Sequence, residues 1–180
     1  ALHSLAFAVL AGTCRSRSAV IRLKQIQVLA AAVGANGMVG GQCLDCCAIG
    51  SDASLHALEA LHRLKTGALI SASVLLGAHS AEGATEQQLA DFQLYADCMG
   101  LAFQIQDDIL DVTADTASLG KPQGSDQHND KTTYVSLLGL EQAESKASEL
   151  TGQAISALTH FGSEADLLRE LAAFITSRAS

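Results

Sequence analysis

The fold is decided by residues 85–111, TEQQLADFQLYADCMGLAFQIQDDILD, which predict one long helix. Thr85 and Gln88 have the spacing of a capping box at its start. Apolar residues then recur at three- and four-residue steps, which places them on one face: Leu89, Phe92, Ala96, Met99 and Phe103. This stripe predicts that the helix packs against a hydrophobic core.

The C-terminal end of the same helix carries a second stripe, which is polar. It consists of Gln104, Asp107, Asp108 and Asp111, at positions i, i+3, i+4 and i+7 of one face. The three carboxylates repel one another, and they lie toward the helix end whose dipole disfavours negative charge. Hard oxygen ligands without a nearby His or Cys suit magnesium, which binds one or two carboxylates together with substrate phosphates. A solvated acidic face is the alternative, but apolar residues on the other sides of the helix favour a cavity.

Composition restricts the fold class. The chain has 180 residues, enough for one domain spanning residues 1–180. Hydrophobic residues make up 48% of it, mostly Ala and Leu, and there is one proline, a balance that favours closely packed helices. Because no alternating Val/Ile/Thr run stands between turn residues, we predict an all-α fold. The net charge of −8 and the lack of a Lys/Arg cluster argue against nucleic-acid binding.

The cysteine count and the hydropathy pattern indicate in which cellular compartment the protein resides. The cysteine count is odd, which argues against a disulfide framework and favours reduced, partly buried thiols over zinc: Cys14, Cys43, Cys46, Cys47 and Cys98. Residues 25–44 carry no charge but include polar residues and four glycines, so we interpret them as a buried core helix rather than a membrane span. With no visible signal peptide, we expect a cytoplasmic protein. The chain begins with Ala1 as if inside a helix, and we expect a fragment.

Three other features suggest a binding site. Gly34, Gly37 and Gly41 share a helical face, which either lets another helix approach closely or leaves room for a ligand. Lys65-Thr66 is polar within an apolar helix, so Lys65 either snorkels to the surface or faces a phosphate, with the Thr66 hydroxyl as a further donor. Residues 112–133 lack a periodic pattern and predict either a disordered segment or a lid, whose lysines would close over an anion held by metal.

Taken together, these stretches resemble the trans-isoprenyl diphosphate synthases, or polyprenyl synthetases, and most closely the bacterial farnesyl and geranyl diphosphate synthases. The resemblance covers nearly the whole chain, and its order and spacing make it far more specific than DDxxD alone. Its motifs are GGQxxD at 40–45, KTGALI at 65–70, LAFQIQDDILD at 101–111, LGKPxGxD at 119–126 and KTTY at 131–134.

The resemblance implies an isoprenoid-synthase helical bundle around a central cavity and a homodimeric prenyltransferase. This enzyme condenses an allylic diphosphate with isopentenyl diphosphate and releases diphosphate. By the resemblance, Asp107, Asp108 and Asp111 bind magnesium, or manganese in its place. The remaining residues that it assigns contact the diphosphate or line the reacting centre: Lys65, Thr66, Gln104 and Lys131, with Lys121 as a lid residue.

The chain departs from the family pattern in one respect. The first aspartate-rich motif, its paired arginines and the usual isopentenyl diphosphate site are not in these 180 residues. We therefore expect the N-terminal helices of the fold to be missing and this polypeptide to be inactive alone. Two alternatives remain open: a non-catalytic helical subunit of a prenyl synthase, and another enzyme of the same fold, such as a terpene cyclase.

Overall fold

The protein is described by a computed structural model covering residues 1–12, 18–48, 53–81, 83–114 and 131–177. Every regular element in these ranges is helical, which confirms the all-α prediction. The helices are α1 (Leu2–Ala11), α2 (Ala19–Val33), α3 (Met38–Ala48), α4 (Leu55–His62), α5 (Ala68–Ala78), α6 (Glu86–Thr113), α7 (Tyr134–Leu138), α8 (Leu140–Ala157) and α9 (Asp166–Ser177). A single π-helical turn, Arg63–Gly67, joins α4 to α5, and a short 3-10 turn, Ser163–Ala165, precedes α9.

Helix α6 is the centre of the bundle. Its start is fixed by the predicted capping box, in which the Gln88 backbone N–H donates to the Thr85 hydroxyl over 3.2 Å. Helices α5, α7, α8 and α9 and the π turn all pack against it. It is therefore buried on more than one side: five consecutive residues, Cys98 to Ala102, are buried, whereas Leu89, Phe92 and Phe103 of the predicted stripe are only half-buried.

The other predicted helices are found, with differences in their breaks and burial. Residues 25–44 do not form the single buried core helix that was predicted. The chain turns at Gly34–Gly37 between α2 and α3, and the buried residues of α2 are only Gln25, Leu29 and Ala32. Helix α8 buries a face that includes Ala143, Ala147 and Ala154. On α9, Leu168 and Ile175 pack against the core, whereas Leu167 and Leu171 are exposed. In the described ranges, no helix is long and apolar enough to cross a membrane.

The prediction of partly buried thiols is wrong for α3. Cys43, Cys46 and Cys47 are exposed there, because that helix packs through the opposite side, and Cys98 in α6 is the buried thiol. Cys14 and Lys121 lie outside the described residues, as does most of the segment predicted to be a lid.

Candidate active site

The π turn is the element that presents Lys65 and Thr66. Sequence periodicity predicts one helix through this region, but the backbone widens over Arg63–Gly67 before α5 resumes. Such turns within α-helices are frequent at functional sites, because they redirect side chains without ending the helix. Here the widened turn is held between α3 on one side and α6 on the other.

Glycine makes both of these contacts possible. A Cβ added to Gly41 of α3 would lie 2.3 Å from the Lys65 backbone nitrogen, so a side chain cannot fit there. A Cβ added to Gly100 of α6 would lie 2.9 Å from the Cα of Gly67. Of the two interpretations left open for the glycine face, close approach of another element is the one found at Gly41. The π turn is thus fixed by direct backbone packing.

Lys65 forms an ion pair with Asp45, the acidic residue of the GGQxxD stretch. The Lys65 Nζ lies 2.5 Å from Asp45 Oδ2, and the two side chains remain 29% and 20% exposed. Because both partners reach solvent, the pair contributes little to stability and can be opened by a competing anion. Lys65 therefore neither snorkels freely nor is buried; it is held in one place at the edge of the site.

Thr66 and Gln104 contact each other directly. The Thr66 hydroxyl donates to Gln104 Oε1 over 3.1 Å, which joins the π turn to the polar stripe of α6. The two residues are 38 positions apart in sequence, and both are half-buried. The structure thus brings together two of the residues that the sequence assigned to the reacting centre.

The three aspartates occupy different environments. Asp107 is half-buried, whereas Asp108 and Asp111 are each 2% exposed. The Asp108 carboxylate accepts a hydrogen bond of 2.8 Å from the backbone N–H of Tyr134, the first residue of α7. Equal spacing on one helix face thus does not make the three carboxylates equally accessible.

These carboxylates fit magnesium only in one mode of binding. Within the described ranges, no group of three or more His, Cys, Asp or Glu side chains is arranged to hold a metal ion. Magnesium does not require such a cage, because it keeps several waters and is held by one or two carboxylates plus phosphate oxygens. The accessible carboxylate of Asp107 meets that requirement together with a bound diphosphate.

His62 is buried where α4 meets the π turn. It is the last residue of α4, only 3% exposed, and its ring centroid lies 5.5 Å from that of Tyr134. Burial lowers the pKa of His62 to about 4; the charges of Lys131 and Lys65 act in the same direction, and Asp45 opposes them. In the sequence His62 stands three residues before Lys65, but spacing alone cannot distinguish a packed histidine from a surface one.

Lys131 stands three residues before Tyr134, whose backbone N–H contacts Asp108 of α6. It is half-buried and stands just before Thr133, whose side chain caps α7. Lys65 and Lys131 thus stand one and three residues from Thr66 and Tyr134, which contact Gln104 and Asp108 of the polar stripe. This arrangement suits an anion that carries several negative charges.

A cavity of about 650 Å³ lies at the other end of α6. It is bordered by the end of α5, the start of α6 and the region before α9, with mainly apolar lining that includes Val74, Gln88, Phe92, Phe161 and Leu168. None of the predicted site residues lines it. It is therefore distinct from the central cavity expected beside the aspartate stripe.

Comparison with known proteins identifies the family. A family model described as Polyprenyl synthetase matches residues 1–172. The chain is 47% identical over 182 residues to the farnesyl diphosphate synthase of Escherichia coli (strain K12), an alignment that covers 99% of this chain and 61% of that protein.

Two solved structures are also similar. One is an apo FPP/GFPP synthase from Zymomonas mobilis, with a TM-score of 0.82 at 39% identity, covering 96% of this chain and 57% of that one. The other is a geranyltransferase from Helicobacter pylori complexed with magnesium and isoprenyl diphosphate, with a TM-score of 0.79 at 33% identity, covering 96% and 55%.

The fold is that of the isoprenyl diphosphate synthases. The chain belongs to the polyprenyl synthetase family, which confirms the resemblance carried by its motifs. It spans between 55% and 61% of the length of the relatives described above.

Proposed function

We propose that the complete gene product is a prenyltransferase that condenses an allylic diphosphate with isopentenyl diphosphate. The single observation that supports this most is the packing of the π turn against α6. It puts Thr66, the residue after Lys65, in contact with Gln104, on the helix that carries Asp107. Family membership makes the allylic diphosphate the anion of choice for this site.

The lysines act on the leaving group. As the allylic C–O bond ionises, negative charge grows on the departing diphosphate, and Lys65 and Lys131 stabilise that charge where it develops. Lys65 starts from its ion pair with Asp45, which the incoming anion replaces. When bound at Asp107, with Asp108 and Asp111 as its other candidate ligands, magnesium supplies further Lewis-acid stabilisation of the same oxygens.

Thr66 and Gln104 act on the carbon side of the reaction. Ionisation leaves an allylic cation, which needs negative dipoles nearby and no water that could attack it. The hydrogen bond from Thr66 to Gln104 orients both side chains, so their oxygens are held in place before the cation forms. In this role Thr66 and Gln104 hold their oxygens in place and transfer no proton.

The exposed apolar face of α1 and α2 is the proposed homodimer surface. Five large apolar side chains are more than half exposed there: Leu2, Leu5, Val9, Val20 and Leu23. Such a patch on a soluble enzyme marks an interaction surface. Light scattering of the complete gene product should give twice the chain mass. A Leu5→Glu, Val20→Glu variant should give the monomer mass, and an unchanged dimer would exclude this face.

Product analysis tests the proposed reaction. The complete gene product is incubated with magnesium, isopentenyl diphosphate and each short allylic diphosphate, and the products are identified by mass. A longer prenyl diphosphate is expected. A cyclic hydrocarbon would support a cyclase instead, and no product from a folded helical protein would support a non-catalytic subunit.

Asp107→Ala tests the site. Turnover with magnesium should fall by about 100-fold or more, the scale seen when a group that stabilises transition-state charge is removed. Asp91→Ala is the matched control, because Asp91 is a half-buried carboxylate near the other end of α6. Near-normal turnover of Asp107→Ala would mean that the Asp107 carboxylate takes no part in the reaction.

A further inference from the structure

Two polar atoms at the centre of the bundle are buried without a hydrogen-bond partner in the part of the chain that the structure describes. They are Nδ1 of His62 and Oη of Tyr134. The residues are 3% and 0% exposed, and their rings are in contact with centroids 5.5 Å apart. Buried polar atoms are almost always paired in native proteins, since an unpaired one costs as much as a lost hydrogen bond. Two unpaired atoms on touching side chains therefore require a common explanation.

We propose that an internal water site, of one or two molecules, joins His62 Nδ1 to Tyr134 Oη. Buried waters occur where two to four polar groups converge, and each water both donates and accepts. The chemistry of the two side chains matches this. Burial lowers the pKa of His62, so the imidazole is uncharged at neutral pH, and a phenol such as that of Tyr134 carries its proton there. A water molecule can form a hydrogen bond with Nδ1 of His62 in either tautomer and with the hydroxyl of Tyr134.

The position of this pair gives it a consequence for the active site. His62 directly precedes the π turn that presents Lys65, and Tyr134 begins α7, three residues after Lys131. The backbone of Tyr134 also binds Asp108 of α6. The hydrated pair thus connects the segments that hold the two lysines, and His62 and Tyr134 are positioning residues for the diphosphate site. This second part of the inference rests on the proposed function, whereas the water site itself does not.

Thermal unfolding tests the water site, with the other tyrosine as a standard. Tyr95→Phe removes a known hydrogen bond, because the Tyr95 hydroxyl donates to the Leu168 carbonyl over 2.9 Å. If water pairs with Tyr134, then Tyr134→Phe lowers the midpoint by a few degrees, as Tyr95→Phe does. An unhydrated hydroxyl gives the opposite result, because its removal leaves the midpoint unchanged or raises it. That outcome overturns the proposal.

A double-mutant cycle tests whether the two side chains share the water. His62→Gln moves the polar group away from the Nδ1 position, while His62→Asn keeps one close to it. The midpoint of the His62→Gln, Tyr134→Phe double variant should fall by less than the sum of the decreases in the two single variants. The midpoint of His62→Asn should stay close to that of the wild type. Strict additivity, or equal losses for Asn and Gln, overturns the shared site. Electron density for a side chain between the two rings in a crystal structure would do the same.

Calorimetric binding of inorganic diphosphate with magnesium to the complete gene product tests the positioning role. His62→Gln and Tyr134→Phe should weaken the affinity severalfold, His62→Asn should restore it, and Tyr95→Phe should leave it unchanged. Unchanged affinity in the first two variants overturns the positioning role. If the wild-type protein binds no diphosphate, the proposed function and the positioning role both fail, and the water site is decided by the thermal data alone.

Discussion

The carboxylate of Asp108 and the backbone N–H of Tyr134 form a buried hydrogen bond of 2.8 Å between the central helix and the start of α7. Asp107, the preceding residue, is half-buried instead. Adjacent residues on a helix point about 100° apart, so one can face a neighbouring element while the other faces the site. Two aspartates of one motif therefore have different surroundings, and we expect Asp108 to contribute more than Asp107 to packing.

Asp108→Ala should destabilise the fold. It removes a hydrogen bond to a charged acceptor and leaves the Tyr134 N–H buried without a partner, which costs about 1.5–3 kcal/mol. Asp107→Ala should change the free energy of unfolding by less than about 0.5 kcal/mol, since it removes no such contact. Urea denaturation of both variants measures the difference. Equal losses would contradict this division of roles.

Gly41→Ala should displace the π turn. Its Cβ would lie 2.3 Å from the Lys65 backbone nitrogen and 2.6 Å from the Lys65 Cα, so backbone must move. We expect a loss of about 1–3 kcal/mol in the free energy of unfolding, together with weaker diphosphate binding. Gly152→Ala is the control: nothing lies within 4 Å of its added Cβ on α8, and it should gain about 0.5–1 kcal/mol. A stable Gly41→Ala variant with normal binding would show that the close contact is not needed.

His62 should make stability depend on pH on the acid side. Its pKa of about 4 in the folded protein is below the ordinary value of 6.5, so the unfolded chain binds the proton first. Stability from this group is fully present above pH 6.5 and falls by about 3 kcal/mol as the pH drops to 4. His62→Asn should flatten that part of the pH profile of unfolding free energy, and the exposed His56→Asn should not. Parallel profiles for wild type and His62→Asn would exclude this titration.

The thiols should separate into two classes. Cys43, Cys46 and Cys47 are exposed on α3, whereas Cys98 is 5% exposed, and its pKa is raised by burial and by the charge of Asp97, with Arg63 opposing. In the native protein iodoacetamide should label the three exposed thiols more than about tenfold faster than Cys98. Site-resolved mass spectrometry measures the rates, and labelling in urea is the control that should remove the difference. Equal native rates would mean that α6 opens readily.

Much of the fold follows from local sequence patterns. The capping box at Thr85 was readable from the sequence because its two partners are three residues apart. The break between α4 and α5 was not readable from the sequence, because the widened turn at Arg63–Gly67 is stabilised by contacts with α3 and α6, which are distant from it in the chain. The exposure of Leu167 and Leu171 on α9 cannot be read from the sequence either, because an apolar residue does not reveal whether another helix covers it.

By itself, the sequence determined the all-helical class and the long helix with its polar end, because these depend on residue type and short spacing. Its motifs also gave the family by resemblance, and with it the candidate site residues. Only the tertiary structure decided which of them meet. It joined Thr66 to Gln104 and Lys65 to Asp45, turned Asp108 toward Tyr134, and buried His62 beside Tyr134. These pairings link residues 20 to 72 positions apart, and they exist because backbone packing brings separate helices into contact, which no local pattern encodes.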